Sequence, residues 1–136
     1  MNQTIPTVQN YMTASPYTID AAQTMSDAHS LLYQRRVRHL PVLRGAQLVG
    51  MLYERDFALI AAFGSLDLKD IKVEDAMSVS VYKVSPETPL ERVAHEMAAK
   101  RLDAVVVVHN GTVAGILTTV DVCAALAASL NHALIH

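Results

Sequence analysis

Residues 104–121, AVVVVHNGTVAGILTTVD, decide how this 136-residue chain folds. Ala104–Val108 is short, apolar and β-branched, the pattern of a buried strand. Asn110-Gly111 follows, the dipeptide that a tight hairpin turn prefers because both central residues need positive φ. Thr112–Thr118 is then the return strand, and Val120–Leu130 reads as an alanine-rich helix. Upstream, Thr88-Pro89-Leu90-Glu91 has the form of a capping box with proline at the first helical position. Leu90, Val93 and Met97 continue at helical spacing. With a short strand at Tyr82–Val84, the order is β-α-β-β-α.

That order occurs twice. A shift of 65 positions lays Val8–Ala62 on Val73–Ala127 without a gap. Val8 meets Val73, Met12 meets Met77, Tyr17 meets Tyr82, Gly50 meets Gly115, Leu52 meets Leu117 and Asp56 meets Asp121. Identities are sparse, but apolar positions agree throughout, which marks a tandem duplication. The first copy is expected to form Tyr17–Ile19, Thr24–Arg36, His39–Leu43, Gln47–Tyr53 and Arg55–Phe63. The copies therefore span 8–63 and 73–131, with 64–72 (GSLDLKDIK) as a linker. A repeat of about 60 residues is marginal alone. Two sheets packed face to face about a pseudo-two-fold axis would share one core, giving an α+β fold with clefts between the copies.

Composition narrows the function. Eleven Lys+Arg against 13 Asp+Glu give a net charge of −2, which argues against a large nucleic-acid footprint. At 51% hydrophobic and 18% charged, the chain is too apolar for disorder. Its apolar runs fall well short of the ~20 residues of a membrane span. The opening MNQTIPTVQN lacks the order of a signal peptide, and a single cysteine suits a reducing cytoplasm. Cys123, among Val122, Ala124 and Ala125, is expected to be a small buried residue. His29, His95, His109, His132 and His136 lack metal-ligand spacing. No nucleophile–base arrangement and no glycine-rich phosphate loop can be argued, so no cofactor, metal or catalytic residue is expected.

The repeat, its element order and two short motifs resemble the CBS-domain pair, or Bateman module. The residues carrying the resemblance are Arg38-His39-Leu40-Pro41-Val42, Gly50–Asp56 (GMLYERD) and Gly115–Asp121 (GILTTVD). The family's ligand signature is Gly-x-x-Thr/Ser-x-x-Asp, and tandem pairs commonly bind adenosine nucleotides or related adenosyl ligands between the repeats. Many form homodimers. The resemblance implies a stand-alone, non-enzymatic sensor for AMP or ATP, with an unidentified regulated protein as partner. The alternative is a ligand-free dimerisation or scaffold module.

By this resemblance Asp121 accepts hydrogen bonds from the ribose hydroxyls and Thr118 bonds a phosphate oxygen. The same two residues also match a helix N-terminal capping box. In the first copy Asp56 keeps the ribose position, but Tyr53 stands where Thr118 stands, and Arg55 could offer a compensating cation. Alternatively, Tyr53 is a strand-end aromatic that simply packs. Arg38 and His39 lie where the family often meets phosphate; an Arg38 salt bridge to Asp103 is the competing reading. Pro41, with Val79, Ser80 and Tyr82, would line an adenine slot. The apolar helices Phe57–Phe63 and Val122–Leu130, with Ala133–Ile135, ask for cover by a second chain.

Overall fold

The structure, a computed structural model, describes residues 5–135. The side chains of Leu134 and Ile135, residues 1–4 and His136 lie outside the described residues.

Fourteen elements follow one another: α1 (Val8–Tyr11), β1 (Thr13–Ala14), β2 (Ile19–Asp20), α2 (Met25–Arg35), β3 (His39–Arg44), β4 (Gln47–Tyr53), α3 (Glu54–Ala62), a 3-10 turn (Leu68–Asp70), α4 (Val73–Ala76), β5 (Lys83–Val84), α5 (Leu90–Lys100), β6 (Ala104–His109), β7 (Thr112–Thr118) and α6 (Thr119–Ile135). They form two compact units, and these are not the two sequence repeats. Unit 1 contains residues 5–15 and 82–135; unit 2 contains 16–81.

The hairpin of residues 104–118 forms as its turn chemistry demands. Asn110 and Gly111 both have positive φ (52° and 76°), and His109 faces Thr112 across the ladder. Unit 1 orders its strands β1-β7-β6-β5, and unit 2 orders β2-β3-β4. Each middle strand takes its outer neighbour in parallel, β5 on β6 and β2 on β3.

Pro41 explains a difference between these parallel edges. Its counterpart, Val106, donates its N–H to the Tyr82 carbonyl at 3.0 Å. Proline has no such donor. The parallel ladder of β2 accordingly begins at Ile19 opposite Val42, two residues later than the expected start at Tyr17.

Helix α2 starts at Thr24, whose Oγ1 accepts from the Asp27 N–H at 3.2 Å while its own N–H donates to Asp27 Oδ2 at 3.4 Å. It buries Met25, Ala28 and Leu32 and ends on Arg36 in the left-handed region (φ 54°). Helix α5 buries Leu90, Val93 and Met97 and ends the same way on Arg101 (φ 55°). Its expected capping box does not form. Pro89 occupies the cap position, and Thr88 turns inward to set Oγ1 3.0 Å from Ser85 Oγ. The Thr88 carbonyl accepts the Val8 N–H at 2.9 Å, as the Gln23 carbonyl accepts the Val73 N–H at 2.8 Å in unit 2.

Two further expectations are corrected. Helix α6 runs through to Ile135, because no glycine or proline beyond Leu130 interrupts its ladder. Cys123 is exposed, and among the described residues of that helix it is Ala125 that is buried. Residues 64–72 also carry structure: the 3-10 turn and Ile71, whose carbonyl accepts the Met25 N–H at 2.8 Å.

The short helices α1 and α4 complete units built mostly from the opposite repeat. Val8 is fully buried with Val93, Val105 and Leu117, and β1 pairs with β7. Val73 is fully buried with Met25, Leu40 and Leu52, while Met51 and Ser78 exchange both backbone hydrogen bonds at 2.9 Å. Each such buried side chain contributes about 1.5–3 kcal/mol of apolar transfer.

Candidate ligand-binding site

The Gly-x-x-Thr-x-x-Asp stretch of unit 1 spans the end of β7 and the first turn of α6. Its glycine answers to packing. A Cβ on Gly115 would strike Met12 Sδ and sit 3.0 Å from the Thr13 carbonyl oxygen. The equivalent Cβ on Gly50 would strike Met77 Sδ and come within 2.8 Å of the Ser78 carbonyl. The borrowed segments lie directly on these glycines.

Thr118 and Asp121 are brought together, in the geometry of a helix cap. The Thr118 N–H donates to Asp121 Oδ2 at 2.9 Å, its hydroxyl donates to the same oxygen at 3.1 Å, and the Asp121 N–H returns a bond to Thr118 Oγ1 at 3.3 Å. Both residues are half-buried. The cap therefore exists and fixes the carboxylate. Oδ1 receives no hydrogen bond from the described residues, so this oxygen retains its accepting capacity.

The matching positions of unit 2 carry different chemistry. The Tyr53 N–H donates to Asp56 Oδ2 at 2.7 Å, the same backbone-to-carboxylate bond that Thr118 makes. In place of a small hydroxyl stands a phenol ring. Arg55 lays its guanidinium carbon 4.1 Å from the ring centroid, and His39, the cross-strand partner of Tyr53, meets it edge-on at 5.6 Å. Arg38, well exposed, places Nε 3.7 Å from Glu54 Oε2.

The residues expected at an adenine slot are dispersed in burial. Pro41 is buried opposite Met51, whereas Val79 is 76% exposed and Ser80 is exposed too. Tyr82 is half-buried in unit 1, with Lys100 Nζ 4.9 Å from its ring centroid. Unit 2 repeats this pair as Arg35 over Tyr17 at 5.1 Å. Sequence reasoning missed both cations. The signal was available, since the 65-residue shift that aligns Tyr17 with Tyr82 also aligns Arg35 with Lys100. Among the described residues, no cluster of His, Cys, Asp or Glu is placed to hold a metal, and no helix is long and apolar enough to cross a membrane.

Two β-α-β-β-α repeats, each closing on a strand–helix junction with a capped aspartate, define a class. The family model for CBS domains matches residues 8–61 and 73–128, and the chain belongs to that family, with two of its domains. YhcV, a CBS domain-containing protein of Bacillus subtilis (strain 168), is 30% identical over 114 residues, 84% of this chain and 81% of that protein. Among solved structures, a Vibrio cholerae protein assigned to acetoin utilization (AcuB) matches with a TM-score of 0.84 and 26% identity, over 98% of both chains. The CBS domain pair of protein MJ0100, solved in complex with 5′-methylthioadenosine and S-adenosyl-L-methionine, matches with a TM-score of 0.83 and 23% identity. That match covers 93% of this chain and 99% of its own.

Proposed function

We propose that this protein is a cytoplasmic, non-enzymatic regulatory module that binds an adenosine nucleotide, AMP or ATP, through Asp121 and Thr118. The observation that supports the reading is the Thr118–Asp121 pair at the start of α6, with Oδ2 engaged by the cap and Oδ1 left as an acceptor. A ribose diol presents two donors to such a carboxylate, and each charge-assisted bond contributes about 1.5–3 kcal/mol. A phosphate would compete with Asp121 Oδ2 for the single Thr118 hydroxyl proton, aided by the dipole at the start of α6. The MJ0100 pair, solved with two adenosyl ligands, supports an adenosine-containing ligand. Ligand binding regulates only as far as it favours one conformation of the module over another.

The test is a thermal-shift titration of ligand-free protein with AMP, ADP, ATP, NAD and S-adenosylmethionine. At one hundred times the dissociation constant, a ligand adds about 2.7 kcal/mol of stability, seen as a clear rise in Tm. Asp121→Ala should abolish the ligand-induced rise, whatever its effect on the starting Tm through the lost cap. Absence of a rise with every compound would overturn the nucleotide reading.

A second reading has its own observation. Leu59 (64%) and Phe63 (69%) on α3 and its end, and Val120 (74%), Leu126 and Leu130 on α6, stand exposed. Such helices call for an apolar partner, and a homodimer is the reading that supplies one. Light scattering after size exclusion tests it: a monomer at all concentrations would sink the dimer, and charged substitutions at Leu126 and Leu130 should split it.

A further inference from the structure

We propose that Tyr53 sets the ligand class of unit 2: its clamped ring closes the Asp56 half-site to a phosphorylated nucleotide and reserves it for an uncharged nucleoside. This rests on the adenosine-ligand reading above and adds a division of labour between the two units.

The two half-sites differ at one position on an otherwise matching frame. In unit 1 the position holds a small threonine, whose hydroxyl lies 3.1 Å from the carboxylate. In unit 2 the same position holds a phenol ring with Arg55 stacked on it at 4.1 Å and His39 edge-on at 5.6 Å, while the residue's backbone N–H donates to Asp56 Oδ2 at 2.7 Å. A phenol ring is far bulkier than a threonine hydroxyl, so it fills space beside the carboxylate that the side chain in unit 1 leaves unfilled. Neither nearby guanidinium stands ready for a phosphate, since Arg55 is spread over the ring and Arg38 faces Glu54 at 3.7 Å.

The surface next to Asp56 agrees. Asp56 borders a groove of about 310 Å³ whose walls are Leu59, Ile60, Leu66 and Ile71 and whose charged lining groups, Asp56 and Asp75, are both anionic. Apolar walls with acceptor carboxylates suit a neutral base and a diol; they repel and fail to solvate a phosphate. Asp56 Oδ1, like Asp121 Oδ1, receives no hydrogen bond from the described residues.

Calorimetric titration of the full chain with adenosine and with AMP tests this, using Asp121→Asn to silence the unit 1 half-site. Adenosine should bind that variant at least about tenfold more tightly than AMP, equivalent to about 1.4 kcal/mol. Adding Tyr53→Phe, which keeps the ring, should preserve the preference. Adding Tyr53→Thr should erase it, with folding of each variant checked by its melting transition. Equal affinities in Asp121→Asn, or a preference that survives Tyr53→Thr, would overturn the inference. If the unaltered chain binds nucleotide but Asp121→Asn binds neither compound, this inference fails while the module reading stands. If the unaltered chain binds neither, both fall.

Discussion

Unit 1 and unit 2 are two solutions to one packing problem: they agree along the central hairpin and the buried helix faces, and diverge at the parallel sheet edge and where side chains face outward. Both bury a valine from a borrowed four-residue helix, both lay a methionine on a glycine, and both end their central helix on an arginine in the left-handed region. The antiparallel hairpin ladders match residue for residue, with a register shift at Val42/Leu43 and at Val107/Val108. At the mouth of each strand–helix junction the match ends: a threonine faces its aspartate in one unit, and a clamped tyrosine in the other. Packing tolerates little change because the interior is close to crystalline density. The rim carries no such constraint, so the duplicated frame could be kept while its chemistry was divided.

The sharpest way to break the comparison is at the glycines. Gly50→Ala should cost about 2–3 kcal/mol in urea unfolding, because its methyl group would meet the Ser78 carbonyl at 2.8 Å as well as Met77. Gly115→Ala should cost less, since the fixed carbonyl of Thr13 is farther away at 3.0 Å and the Met12 side chain can turn. Equal costs would mean that the borrowed segments are seated alike and the backbone difference is immaterial.

A smaller effect separates the helix starts. Thr24→Ala removes a reciprocal cap and should lower stability by about 1 kcal/mol. Pro89→Ala, at the matching position with no side-chain cap bond, should change it by less than about 0.5 kcal/mol. A large loss at Pro89 would show that its fixed φ carries the start of α5. Smallest of all, Lys100→Ala and Arg35→Ala should each cost about 0.5 kcal/mol, the worth of an exposed cation over a tyrosine ring. If only Lys100→Ala registers, the half-buried ring of Tyr82 is the better platform than Tyr17, which is 46% exposed.

Much of this was legible in the linear chain. Asn110-Gly111 fixed the hairpin because positive φ at two successive positions suits few other residue pairs. Leu90, Val93 and Met97 fixed a buried helix face because their spacing follows the helical turn. Asp121 and Asp56 emerged as candidates through the resemblance to the CBS-domain pair, at the aspartate of its ligand signature, and both do sit at capped helix starts. The clamp on Tyr53 was only half visible. Arg55 adjoins Asp56 in sequence and drew attention as a phosphate partner, but its place over the ring depends on where β4 ends and α3 begins.

What the sequence determined by itself, then, is whatever a few neighbouring residues settle: turns, caps, helix faces, strand alternation and the fact of duplication. The tertiary structure alone decided which segment completes which core. Val8 and Val73 read as ordinary apolar residues at the start of their own repeats, yet each closes a core made mainly by the other. Thr88 belongs to the same exchange: its carbonyl accepts the Val8 N–H, as the Gln23 carbonyl accepts the Val73 N–H in unit 2. The physical reason is range. A cap or a turn is chosen among local alternatives within four or five residues, whereas the docking of α1 and α4 is chosen by buried area and backbone partners many tens of residues away. No local pattern in the chain records that choice.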